Sequence, residues 1–165
     1  MTDLNEMLTD LVEAATLEDI RYFRVSAEEF EDPVSEDEVG DPRFDLRIRP
    51  YQGGGDGDAA GSKPIRLDFH LRVTAPIPDG TGEVLAEPVA SYVFPADAHR
   101  LLTRESVNSF ANEVAVMSLI PYAREAVASM ALRGFRGTFL MPIIKRGDLN
   151  FDIDFTLDVD GGAAD

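Results

Sequence analysis

The 165-residue chain has no cysteine. Disulfides, thiolate nucleophiles and cysteine-ligated metal sites are thereby excluded. Histidine is nearly as scarce: His70 and His99 are the two in the chain, far apart and without the spacing of a ligand pair. Catalysis needs a nucleophile, base or metal held in a defined set, and two isolated histidines, one on the polar face of an expected strand and one in an expected loop, do not supply it. The reading is of a protein that is not an enzyme, with no cofactor and no metal. Positive charge is the third shortage. Lys plus Arg number 15 against 31 Asp plus Glu, a net charge of −16. A chain so acidic is repelled at long range by nucleic-acid phosphates and anionic membrane surfaces, whereas basic partners are attracted. No apolar run approaches the ~20 residues that span a bilayer. Residues 1–7 lack the basic and apolar regions of a secretory signal. A cytoplasmic protein without nucleic-acid partners or membrane insertion is the expectation.

What the chain does contain is a core's worth of apolar residues, 44% of the total, at a length suited to one domain. Leu4, Met7, Leu8, Leu11, Val12 and Ala15 recur at helical spacing and predict an N-terminal helix over 3–16, with Asp3 placed to favour its start. Residues 17–31 read as a strand, rich in Ile, Tyr, Phe and Val. From 31 to 42, two prolines and six acids make a solvated connection. Phe44, Leu46 and Ile48 then alternate with charged residues, as do Ile65, Leu67, Phe69, Leu71 and Val73, so both runs predict half-buried strands. Between them, 53–62 is a Gly/Asp/Ala loop. Its glycines do not stand between a strand and a helix, so a phosphate cradle is not expected. Residues 77–82 form a turn by their chemistry. A further strand over 84–94 contains Pro88, which calls for an edge position or a bulge. At the C-terminal end, Phe151, Ile153, Phe155, Leu157 and Val159 alternate with acids and threonine, predicting a strand with one acidic face. Asp158-Val159-Asp160-Gly161 looks like a fragment of a calcium loop, but the downstream oxygen ligands and terminal Glu are missing.

The long helical stretch lies between. Val107, Phe110, Ala111, Val114 and Ser118 share one helix face up to Pro121, whose missing N–H and ring predict a kink, or a stop and restart. Ala123, Val127, Met130 and Ala131 continue an apolar face, and Gly134 is the expected left-handed C-cap. Helix, four antiparallel strands and long helix together make an α+β domain: a four-stranded antiparallel sheet with the long kinked helix packed on one face and an extra N-terminal helix.

Within this stretch, Leu119-Ile120-Pro121-Tyr122-Ala123-Arg124-Glu125, then Ser129-Met130 and Arg133-Gly134, resemble the Leu-Phe-Pro-Tyr-Ala-Arg-Glu…Ser-Met/Leu…Arg-Gly signature of the SecB export chaperones in order and spacing. The resemblance implies a SecB-like domain over 17–152, preceded by the helix of 1–16 and followed by an acidic strand or tail over 153–165. It implies an ATP-independent chaperone of unfolded polypeptides, assembled as a homotetrameric dimer of dimers. Export targeting through the SecA motor is one setting; a dedicated role for a single client, such as an antitoxin, is another, and a non-chaperone adaptor subunit is a third. Client-groove residues carried over by motif are Phe30, Val34, Val39, Phe44, Phe139, Met141, Ile143 and Phe151. SecA-docking residues are Glu31, Leu85 and Glu87, while an Asp expected upstream is Ala27. Pro121 is expected to set the kink, Tyr122 to pack, and Arg124, beside Glu125, to make a structural ion pair or hydrogen bonds near a subunit interface. Departures from the family pattern concentrate in the acidic loop after the first strand, the run Ile143 to Leu149, and the tail, where no helix is readable.

Overall fold

Strict alternation along β3 (Ile65–Pro76) turns Leu67, Phe69, Leu71 and Val73 to one side, where they are fully buried, and Arg66, Asp68, His70 and Arg72 to the other. In the computed structural model, which describes residues 3–52, 63–135 and 137–157, three further strands join it: β1 (Thr16–Glu29), β2 (Arg43–Gln52) and β4 (Gly82–Phe94). All neighbours are antiparallel, in the order β1-β4-β3-β2. The predicted loop over 53–62 and the tail beyond Leu157, including the calcium-like fragment, lie outside the described residues.

Pro88 stands in β4, which is a central strand. Of the two accommodations expected for it, the sheet uses the bulge. Pro88 faces Tyr22, and the register slips by one residue between Tyr22 and Arg24, leaving Phe23 as the extra residue of β1, largely exposed. A proline cannot donate to its neighbour, and a bulge in that neighbour removes the demand.

The apolar side of the sheet is covered by one helical segment in three parts: α2 (Arg104–Phe110), a π turn (Ala111–Ala115) and α3 (Val116–Gly134). Thr103 caps it, accepting from the Ser106 N–H at 3.2 Å while Ser106 Oγ accepts from the Thr103 N–H at 3.0 Å. Phe110 projects into the sheet with its ring centre within 5.6 Å of those of Phe69, Tyr92 and Phe94. Val107, Ala111, Leu119, Ala123, Val127 and Ala131 extend the buried stripe, and Ser118 hydrogen-bonds the Tyr92 hydroxyl at 3.0 Å. α1 (Leu4–Ala14) lies against α2 and the short turn of 96–101, with Leu11 fully buried; Asp3 holds the N-cap position without a side-chain bond. Among the described residues no helix is long and apolar enough to cross a membrane.

Three local expectations are corrected. The long helix is kinked, as expected, but it neither stops nor restarts at Pro121, which lies inside α3 on its exposed side, where water can satisfy the carbonyl that loses its partner. The winding departs from α geometry one turn earlier, where the Val116 N–H reaches Ala111 O five residues back. Gly134 is no left-handed cap: it is the last residue of α3, and Phe135 follows in extended conformation. Its missing side chain serves close packing instead, since a Cβ there would stand 3.2 Å from that of Ala27. Finally, residues 151–157 form no strand. They run extended along the helix, because the groups that satisfy their backbone are side chains of α2 and the π turn rather than a neighbouring strand.

Candidate functional site

Antiparallel order brings four chain ends to one end of the sheet: β1 leaves at Glu29, β2 enters at Arg43, β3 leaves at Pro76 and β4 enters at Gly82. The loop after β1 is tied to the turn between β3 and β4 by Phe30 N–H to Thr81 O (2.8 Å) and Val34 N–H to Gly80 O (2.9 Å). Gly80 has φ +78°, and a Cβ there would lie 1.9 Å from Val34 O, so glycine is required for both the turn and the contact. The same turn lines a cleft of about 170 Å³ with Ile77, Pro78, Ala131, Phe135 and Phe139. Its walls are mainly apolar, with Asp79 and Thr138 also lining it, and it opens where α3 ends.

Of the sequence-predicted client residues, Phe30, Val34, Val39, Phe44 and Phe139 fall at this end of the molecule, half-buried except for Val34, which is exposed. Met141 is buried in the core, and its carbonyl accepts a bond from Arg124 Nη2 at 3.4 Å. Ile143 is 71% exposed. Phe151 lies elsewhere, against Asn112 on the π turn, roughly 33 Å along the helix from Gly134 at 1.5 Å per residue.

The sheet's outer side is the second notable surface. Arg21, Arg24, Arg43, Arg47, Arg49, Arg66 and Arg72 all stand on it, seven of the 15 Lys and Arg of the whole chain. Burial pushes the Asp68 carboxyl up, but hydrogen bonds from Arg66, Ser91 and Arg21 outweigh it and hold it below the usual carboxylate range. Burial likewise pushes the His70 imidazole down, opposed by Glu87 and reinforced by Arg49, Arg47 and Arg21, so His70 is neutral near pH 7 and its 3.9 Å approach to Glu87 is not an ion pair. An open trough of about 410 Å³ crosses this side, lined among others by Arg24, Arg43, Arg72 and Leu85. His99 is on the separate turn of 96–101. Among the described residues no cluster of three or more metal-ligating side chains occurs.

On the opposite side, the motif around Tyr122 is bound to the edge strand. The Tyr22 hydroxyl donates to Tyr122 O at 2.9 Å and lies 3.2 Å from Glu125 Oε2. Desolvation, then that carboxylate, pushes the Tyr22 phenol up to about 12.

No protein-family model and no curated protein matches the chain. Among solved structures, the Mycobacterium tuberculosis Rv1957 SecB-like chaperone, in complex with a ChAD peptide from the Rv1956 HigA1 antitoxin, matches with a TM-score of 0.52 at 20% identity, over 87% of this chain and 96% of that one. The chain has the SecB-like fold. A protein of unknown function from Streptococcus agalactiae superposes at a TM-score of 0.43 and 9% identity, over 78% of this chain and 97% of that one. Within the SecB-like fold of this chain, the three residues expected from the resemblance to dock on SecA have unequal settings. Glu31 is exposed in the loop and Leu85 is half-buried on the outer side of the sheet. Glu87 is buried and faces Arg72 at 3.6 Å.

Two features of the molecule escape reading by motif. The arginine face was visible only as the polar half of strand alternation, because its concentration on one surface depends on strand order. Asn108 and Asn112, which hold the tail, carried one faint signal: two asparagines four apart in a helix, where that residue is a poor helix former.

Proposed function

We propose that this protein is an ATP-independent chaperone that holds non-native polypeptides and assembles as a dimer of dimers. The observation that carries the reading is the apolar cleft at the end of the sheet, set in a SecB-like fold and fed by Phe135 and Phe139, with Phe30 and Val34 on the loop tied to the same turn. Such a cleft suits short apolar stretches of an unfolded chain, and a net charge of −16 keeps the holder soluble while attracting basic clients. Dilution of a chemically unfolded protein into buffer with and without this chain, followed by light scattering, tests it. Suppression of aggregation without nucleotide is expected, together with an oligomeric mass. Phe139→Asp and Phe30→Asp are expected to reduce suppression while leaving circular dichroism unchanged. A monomer that suppresses nothing overturns the proposal.

Two settings are open to such a holder: export targeting, with Glu31, Leu85 and Glu87 docking on SecA, and service to one client. The second is favoured by the outer sheet surface. A docking surface of free acids needs unpaired carboxylates, whereas Glu87 is buried against Arg72 amid seven arginines. The Rv1957 protein, bound to an antitoxin peptide, offers a precedent on the same fold.

A further inference from the structure

Residues 151–157 belong to no sheet, yet two of them are hydrogen-bonded as fully as a strand would be. The Phe151 N–H donates to Asn112 Oδ1 at 2.7 Å, and its carbonyl accepts from Asn112 Nδ2 at 2.8 Å. One rung further, the Ile153 N–H donates to Asn108 Oδ1 at 2.8 Å and its carbonyl accepts from Asn108 Nδ2 at 2.7 Å. Each carboxamide does for one residue what a neighbouring strand would do. The second N–H of each amide bonds the carbonyl four residues back, Arg104 O at 3.0 Å and Asn108 O at 2.9 Å, which holds the amide plane at the angle the extended chain requires. The spacing agrees for a geometric reason: four helical residues rise about 6 Å and two extended residues about 6.7 Å. Phe151, Ile153 and Leu157 pack on the core and Phe155 is buried within it, while Asp152 and Asp154 point outward to Arg104 at 3.4 and 3.6 Å.

None of the four rung bonds depends on which side chains the extended segment carries. Main-chain bonds supply attachment, and sites for alternate apolar side chains supply selectivity; this is the arrangement by which proteins hold extended peptides of varied sequence. Open clefts of about 450 and 400 Å³ border the segment beside Asn112, Glu113 and Asn150.

We propose that α2 and the π turn form a second polypeptide groove, read through the main chain by Asn108 and Asn112. Residues 150–157 occupy it in the free protein, and an extended client with apolar residues at alternate positions enters by displacing them. This rests on the holding activity proposed above and gives it a self-closed site distinct from the cleft at the sheet end. A tethered occupant competes at high effective concentration, so client affinity is the intrinsic affinity multiplied by the open fraction.

The test uses the full chain and a permanently unfolded basic probe, reduced and carboxamidomethylated ribonuclease A, with binding read by fluorescence anisotropy and hydrogen exchange read at the Phe151 and Ile153 amides. In the wild type, saturating probe is expected to speed exchange at both amides at least tenfold. Phe151→Ala/Ile153→Ala, which loosens the tail and keeps the asparagines, is expected to bind about tenfold tighter than wild type. Asn108→Ala/Asn112→Ala also frees the tail but lacks the rungs, and is expected to bind at least tenfold more weakly than the tail variant. Probe bound with both amides still protected, or both variants binding like wild type, overturns the groove and leaves the holding activity standing. No binding by any of the three proteins overturns both. Should either variant fail to fold, exchange in the wild type decides alone.

Discussion

Asp68 is buried on the outer side of the sheet, and its charge persists because three partners converge on it: Arg21 Nη2 at 3.0 Å, Arg66 Nε at 2.9 Å and Ser91 Oγ at 2.7 Å. Asp68→Asn is expected to cost about 2 kcal/mol at pH 7, the size of charge-assisted bonds lost to partly exposed partners. Because the folded carboxyl is held low, its stabilisation is fully present above the unfolded value near 3.9 and is lost as pH falls through the folded value. The gap between wild type and Asp68→Asn in urea unfolding therefore narrows below about pH 4. Tyr22 acts at the other extreme. Its phenol, raised to about 12, stabilises the fold below the unfolded value near 10, and that contribution disappears as pH rises through 12. Absorbance titration near 295 nm is expected to find one tyrosine ionising about two pH units late, and Tyr22→Phe to remove that step at a cost of about 1 kcal/mol. A titration with no late tyrosine contradicts the bond to Glu125.

At the scale of elements, the joints between strands and helix are tighter than their sequence suggests. Gly82 begins β4 where an added Cβ would lie 2.1 Å from Glu28 O and 2.6 Å from the Phe135 ring, whereas one at Gly40 would meet nothing within 4 Å. Gly82→Ala is expected to lose about 3 kcal/mol and Gly40→Ala to change stability by less than about 0.5 kcal/mol, measured side by side in denaturant. Phe110→Ala, emptying the centre of the aromatic cluster, is expected to cost about 3–5 kcal/mol. The strands were legible because alternation is a local property: Leu67, Phe69 and Leu71 point inward wherever the strand is placed. Alternation over 151–157 is as clear, and it did select the inward set of Phe151, Ile153 and Phe155. It could not name the partner. The same period fits a neighbouring strand and a helix that offers Asn108 and Asn112 at matching rise. The π turn left no pattern in composition, and Pro121, the loudest breaker in the helix, lies within α3 on its exposed side without ending it.

For the molecule as a whole, charge is divided. The chain carries −16, while one sheet surface gathers arginines that neutralise the acids among them. Encounter with a basic unfolded client is expected to slow about tenfold between 50 and 500 mM salt, as screening shortens the reach of the acidic surface, with dissociation changed far less. Stopped-flow association at several salt concentrations measures this; equal slowing of both rates would remove long-range steering from the account. Of the residues assigned by motif to client binding, five were gathered at the sheet end, Met141 was drawn into the core, Ile143 was left exposed and Phe151 was carried to the far helix. Motif position records the order of residues along the chain, and burial depends on what arrives from elsewhere to cover them.

By itself, then, the sequence determined the α+β class, which residues of β2 and β3 face inward, where the long helix runs and how acidic the molecule is, since side-chain period and net charge need no knowledge of neighbours. In β1 strict alternation groups Arg24 with Ile20 and Tyr22, and the bulge at Phe23 puts it on the opposite side. Tertiary structure alone decided that β4 with its proline is central, that seven arginines share a face, and that the tail lies on asparagines instead of joining the sheet. Those outcomes turn on which unsatisfied backbone groups meet which donors across long separations, and no local pattern encodes that meeting.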